Sequence, residues 1–284
     1  MPAIAVHRAA RAASPIALLA AIDAEGRRRN ATLWGAGIVF LALMLPTVAA
    51  LLLDGRTVNG VSVWVKPLKF EASIALYLAT LAWLWSYLAP EGRSRWLRGF
   101  AAVSIGLLGF EIAYIALQSV RGVGSHFNTA TPIEGLMFSL MGAAAIVFTV
   151  FPAALGIAIA RHPAPGLAPA FRLAMVLGLV LTALLGIATG VATAINGGHW
   201  VGAAATDAGG LPVFGWTRTG GDLRVAHFFA LHALQVLPVA GWLIARRRPD
   251  ATAMVWVVAA GFAALTLYTL GEALGGRPFL PFLA

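Results

Sequence analysis

Residues 223–245 read Leu223-Arg224-Val225-Ala226-His227-Phe228-Phe229-Ala230-Leu231-His232-Ala233-Leu234-Gln235-Val236-Leu237-Pro238-Val239-Ala240-Gly241-Trp242-Leu243-Ile244-Ala245. A helix of about 20 such residues crosses about 30 Å of hydrocarbon. The run nevertheless holds two histidines, and a polar side chain kept inside lipid usually marks a site with a partner nearby. Composition agrees with a lipid solvent. The chain is 60% hydrophobic and 11% charged, where soluble domains have roughly 45–50% and about 25%.

Six further runs reach spanning length, at 32–53, 67–89, 97–119, 132–160, 170–195 and 251–274. The expected fold is therefore all-α: a polytopic membrane protein with seven transmembrane helices in one domain, 32–284. Helix-start signals agree. Pro67 opens the second run, Thr131-Pro132-Ile133-Glu134 reads as a capping box with Pro at the first helical position, and Asp222 suits an N-cap. Gly186 and Gly190 make a small-xxx-small pair for close helix contact. Residues 1–31 are expected to form a cytoplasmic segment. Its apolar stretch is too short for a secretory signal, and its alanine-rich start with His7, Arg8 and Arg11 suits an interfacial helix.

The net charge of +9 is a topology signal and not a nucleic-acid footprint. Thirteen arginines and four acids fall in the N-terminal segment and the loops 23–31, 90–98, 161–172 and 246–250, at alternate ends of the runs. Basic loops stay in the cytoplasm, so the N-terminus lies inside and the C-terminus outside. The absence of cysteine excludes disulfides, thiolate metal sites, iron–sulfur clusters and Cys nucleophiles. The opposite loops, 54–66, 120–131 and 196–222, are rich in glycine and polar groups. The last is long, and its Trp200, Phe214 and Trp216 suit a packed lid.

Polar residues gather towards that outer side. With His227 at 0° on its helix, Arg224 falls at about 60°, Gln235 at about 80° and His232 at about 140°, about 7.5 Å deeper than His227. Ser104, Glu111 and Gln118 recur every seven residues on the third run, with Tyr114 beside them, and Glu111 sits roughly 13 Å below the outer end. A lone acid at that depth costs about 2.5–3.5 kcal/mol, so it must be protonated, paired or facing water. Lys66 and Lys69, the only lysines, flank Pro67 with Glu71 close behind. Tyr268 and Glu272 lie one turn apart on the seventh run. These stripes predict a cavity open to the outside, walled by spans two, three, six and seven beneath loop 196–222. The cytoplasmic half of every span is nearly pure hydrocarbon.

Several of these residues also have plain structural roles open to them. Glu134 and Asp222 suit helix caps, and Met137 and Met141 suit packing. Lys66 and Lys69 suit snorkelling to headgroups, and His199 suits a surface loop. Motifs for zinc hydrolysis, serine hydrolysis and phosphate binding are missing, as are paired histidines 13 or 14 apart on one span and a lysine on the seventh. The segments Trp64-Val65-Lys66-Pro67-Leu68-Lys69-Phe70-Glu71, Ser125-His126-Phe127-Asn128 and Gly221-Asp222-Leu223-Arg224-Val225-Ala226-His227-Phe228-Phe229-Ala230-Leu231-His232 resemble bacterial multi-pass membrane proteins that carry no assigned activity. The resemblance implies a bacterial inner membrane and no catalytic residues.

Three functions stay open. The first is a redox protein or metalloenzyme. His126, His227 and His232 would ligate haem b or a transition metal (Fe, Cu or Zn), with Glu111, His232 and Gln235 as a proton or quinone site. Lys69, Glu71, Tyr114 and Arg224 would contact the cofactor. The second is a proton-coupled carrier or sensor of a small extracytoplasmic ligand, in which Glu111 and His232 titrate and Lys69 or Arg224 holds an anionic solute. The third is a scaffold subunit whose polar residues fix helix register.

Overall fold

The computed structural model describes residues 14–280. Seven α-helices run through them: α1 (Pro15–Leu53), α2 (Val65–Trp85), α3 (Arg95–Arg121), α4 (Pro132–Arg161), α5 (Pro169–Ile195), α6 (Leu223–Ala245) and α7 (Thr252–Leu274). Two short antiparallel pairs accompany them, β1 (Thr57–Val58) with β2 (Val61–Ser62), and β3 (Trp200–Val201) with β4 (Gly221–Asp222). Six helices, all but α2, are long and apolar enough to cross a membrane, and their apolar surfaces suit contact with lipid. The 21-residue α2 differs because Lys66, Lys69 and Glu71 occupy its opening turns.

Local chemistry sets most helix ends. Ser94 accepts from the Leu97 amide and starts α3, which stops at Gly122 in the left-handed region (φ 73°). Thr131 accepts from the Glu134 amide at the start of α4, and Asp222 accepts from the Arg224 amide at the start of α6, as expected of those caps. Asn59-Gly60, both at positive φ, make the two-residue turn of the β1–β2 hairpin. The first helix departs from expectation. It starts at Pro15 and bends at Asn30 (φ −159°, ψ 100°), whose Oδ1 accepts from the Leu33 amide and so caps the span beyond the bend. The arm before the bend folds against the span through Trp34 Nε1–H donating to Asp23. The expected interfacial helix around His7, Arg8 and Arg11 lies outside the described residues.

Helices α5 and α6 pack most closely, and α1 lies along α2. Gly178 of α5 lets the backbones meet, since a Cβ there would stand 2.7 Å from the Ala233 carbonyl oxygen. Helix α7 covers α6 and α5 from the outside. The main core, with Leu33, Leu78, Leu81, Leu97, Phe151, Leu155, Ile159, Met175 and Leu179, extends to the end of the bundle nearest the arginine-rich loops. Polar side chains concentrate at the other end.

Candidate functional site

The long loop 196–222 is folded over the polar end and pinned from two helices. Lys69 of α2 donates to the Phe214 carbonyl at 2.8 Å, and Arg224 of α6 donates to the adjacent Gly215 carbonyl at 2.7 Å. Arg224 also pairs with Asp222 at 2.7 Å and Asp207 at 2.8 Å, while His199 Nε2 lies 3.2 Å from Asp207. Burial pushes the Asp207 carboxyl up, but His199 and Arg224 outweigh it and hold that carboxyl below its usual range. The loop closes on the β1–β2 hairpin through the Asp207 amide and the Thr206 hydroxyl, both donating to the Asn59 carbonyl. Phe214 stacks on Trp216 with centroids 4.4 Å apart, and Trp216 is buried against Phe228 and Phe279. Lys69 and Arg224 thus fasten the cap.

Beneath the cap lies a second group whose polar atoms are not spent. Phe70 of α2 is its centre. The Lys66 ammonium stands 5.9 Å from the Phe70 ring centroid, the His126 ring is 5.6 Å away, and Phe70 packs against the cluster of Tyr114, Ile115 and Met141. Glu111, three residues before Tyr114 on the same helix, is 3% exposed, and its Oε1 has no hydrogen-bond partner. Ser104 Oγ, two turns deeper, is likewise enclosed and unpartnered. Lys66 is the charge that acts on both Glu111 and His126. The ion pairs among the described residues lie elsewhere, in the cap, the N-terminal arm and the helix ends.

His126 sits in the loop between α3 and α4, with Nδ1 3.1 Å from the Ser125 hydroxyl. The next residue, Phe127, takes φ +58°, a left-handed conformation that costs a non-glycine residue about 1–2 kcal/mol. Burial first, then the Lys66 ammonium, push the His126 imidazole well below its ordinary range, so it stands neutral beside a cation.

The other expected site residues separate into satisfied and unsatisfied groups. His227 turns away from His126 towards α5, where Nδ1 meets the Thr189 hydroxyl at 2.9 Å and the ring packs over Gly190. His232 donates from Nδ1 to the Phe228 carbonyl at 2.7 Å and lies on the Phe228 ring, 3.9 Å between centroids. A carbonyl can only accept, so Nδ1 carries the hydrogen in this bond and Nε2 is left without a partner in it. Gln235 donates to Thr80 of α2 at 3.2 Å, and its Oε1 is buried without a partner. Tyr114 and Gln118 bond to each other at 2.8 Å, and Gln118 accepts from Arg121, which also pairs with Glu134. Neither reaches Glu111, which the stripe alone had left open.

Glu71 looks away from the Lys69 side of α2, about 160° around the helix, and its Oε1 accepts from the Thr47 hydroxyl of α1 at 2.7 Å. Two expectations need correction. Span seven does not wall the site, since Tyr268 is 63% exposed and Glu272 pairs with Arg277 at the periphery. Helix α4 takes its place through Met141, Met137 and Phe138. His126, His227 and His232 do not form a ligand set, and no group of three or more His, Asp or Glu side chains among the described residues could hold a metal ion. Lys66, in turn, belongs to the site although Lys69 was the lysine assigned to it. The confinement of both lysines to one turn was the available signal. Comparison of the chain with protein families, with curated proteins and with solved structures finds no match.

Proposed function

We propose that this chain is a bacterial inner-membrane protein that links protonation of Glu111 to binding of a small extracytoplasmic ligand, as a proton-coupled carrier or a ligand sensor. In this reading α2 crosses with the other six helices, the N-terminus is cytoplasmic and loop 196–222 is the outer lid. The observation that carries it is the enclosed, unpartnered Glu111 carboxyl. Leaving a buried acceptor unmade costs about 1–3 kcal/mol, more for a charged group. A purely structural acid would have found Tyr114 or Gln118, one and two turns up its own helix. Those side chains bond to each other and to Arg121 instead.

Infrared spectroscopy of the protein in lipid tests this through the carboxylic C=O band. A titrating band is expected in the parent, retained in Glu71→Gln and missing in Glu111→Gln. Identical titrations in the parent and Glu111→Gln would refute the assignment.

A redox reading keeps one specific support. The Nδ1–H bond of His232 to a backbone carbonyl is the arrangement that metal-ligating histidines use to free Nε2. Metal near one atom per chain in purified protein, lost in His232→Ala, would favour haem or a transition ion there.

A further inference from the structure

We propose that the groove between α1 and α2 holds one acyl chain of an anionic phospholipid, whose phosphate sits on Arg27. The site is separate from Glu111 and does not depend on the reading of that acid. The groove has a volume of about 330 Å³ and runs from Trp34 to Met44 on α1 and from Ala72 to Ala79 on α2. Ala72, Ala75, Leu76 and Ala79 follow the i, i+3, i+4, i+7 spacing of one helix face. Gly37 lets the two helices close beneath it, since a Cβ there would stand 3.3 Å from the Ala75 carbonyl oxygen. Small residues leave the space, and the exposed Ile38, Leu41 and Leu76 line it where it opens to lipid. Depth and width fix the occupant. From Trp34 to Met44 the helix rises about 15 Å, half of a hydrocarbon core about 30 Å thick, which is the depth of one leaflet. A second transmembrane helix, about 10–12 Å across with its side chains, is too broad to enter such a groove, whereas a single hydrocarbon chain fits.

The mouth of the groove is basic and aromatic. Trp34, at its end, donates from Nε1 to one oxygen of Asp23 at 2.8 Å, and Arg27 donates from Nε to the other oxygen at 2.7 Å. One carboxylate therefore ties the Arg27 guanidinium to the end of the groove. Nη1 and Nη2 of Arg27 make no hydrogen bond among the described residues, and the side chain is 54% exposed. The arm that carries it is fixed to α2, because the Arg29 guanidinium lies 3.8 Å over the Trp83 ring and donates to the Ser86 hydroxyl at 2.6 Å. Paired guanidinium donors match phosphate oxygens, and tryptophans settle at the headgroup level. Arg27, Arg28 and Arg29 outnumber Asp23 and Glu25 in this arm, so a headgroup of net negative charge is favoured over a zwitterionic one. Basic pockets beside transmembrane helices recognise anionic headgroups in this way. A free phosphate would leave the apolar groove unfilled.

The test loads detergent-solubilised full-length protein with equal amounts of dioleoylphosphatidylglycerol and dioleoylphosphatidylcholine and counts the lipids retained in native mass spectrometry. Phosphatidylglycerol is expected as the first lipid retained, preferred about fivefold, as one arginine at an anionic surface implies. Glycerol phosphate, which offers a phosphate and no chain, should not be retained. Arg27→Gln should equalise the two lipids. Ala79→Leu, and Ala72→Leu at an exposed position of the groove, should each lower retention of both lipids. Arg247→Gln, in an exposed loop, should change nothing. Equal retention of the two lipids by the parent, a preference kept in Arg27→Gln or lost alike in Arg247→Gln, or retention unchanged in both groove variants would overturn the proposal. So would a dimer that the groove variants split, since the groove would then belong to a second copy of the chain.

Discussion

The polar stripes of α6 and α3 sit at similar depths, yet the first is paired in all but the Gln235 carbonyl and the second leaves a carboxyl open. On α6, Asp222, Arg224, His227 and the Nδ1 side of His232 all have partners, supplied by loop 196–222, by Thr189 of α5 or by the helix's own backbone. On α3, Tyr114 and Gln118 are likewise paired, but Glu111 and Ser104 are enclosed with partners missing. The neighbours explain the difference. Helix α6 packs against α5 over glycines at 178, 186 and 190, so its side chains come within hydrogen-bond reach of another backbone. The Glu111 face of α3 meets Phe70 and Met141 through aromatic and thioether surface, which fills space and offers a carboxyl nothing. Closed polar groups hold a membrane fold together, and open ones are left for a ligand, a proton or water.

The comparison breaks most visibly at Asp222. Its carboxylate accepts from the Arg224 and Thr217 amides and pairs with the Arg224 guanidinium. Removing one partner of a buried charge pair typically costs about 3–5 kcal/mol, so Asp222→Ala should lose that much in a reversible unfolding titration and free loop 196–222 for proteolysis. A loss under about 1 kcal/mol, within the range of surface pairs, would show that the cap is not closed.

A paired substitution sharpens the contrast. His227→Leu should cost about 0.5–1.5 kcal/mol, the net worth of a satisfied hydrogen bond. Glu111→Leu should cost nothing, and should stabilise by up to about 2–3 kcal/mol if the acid is as isolated as it stands. Reversed signs would mean that Glu111 is the structural group and His227 the open one.

The smallest expected effect is in pH dependence. His126 is held neutral in the folded protein, well below its ordinary value of 6.5, so the unfolded chain takes up the proton first. Its contribution is unchanged above about pH 7 and turns destabilising as pH falls through the ordinary histidine range, by up to about 1.4 kcal/mol per pH unit. His126→Asn should lessen that acid slope by one proton's worth, read as unfolding midpoints from pH 7 down to pH 5. An unchanged slope would place His126 in water.

Much of the fold was legible because hydrocarbon thickness and helix caps act locally. Thr131 and Asp222 cap the helices that their sequences announce, and the six apolar spans follow from length and composition. The bend at Asn30 was not legible, since arginines on both sides of a boundary look alike whether the chain turns before or within a helix. Periodicity also placed Glu111, Ser104 and Gln118 correctly on one buried stripe. It could not say which helix each stripe would meet. His227 was expected to look across a cavity and looks instead at Thr189, and α7, assigned a wall, is a cover. A 100° wheel fixes direction on one helix only. Neighbour identity comes from packing, and small residues such as Gly178 and Gly190 were the sign of it.

The chain has no cysteine, so one introduced is unique, and accessibility at position 111 measures the central claim directly. Oriented proteoliposomes carrying Glu111→Cys would be treated with a small membrane-impermeant thiol reagent from either side, with Arg56→Cys and Arg247→Cys as references for the proposed outer and inner sides. Labelling from the outer side only is the predicted result. Labelling from the inner side, or from neither, would contradict a site that opens beneath the outer cap.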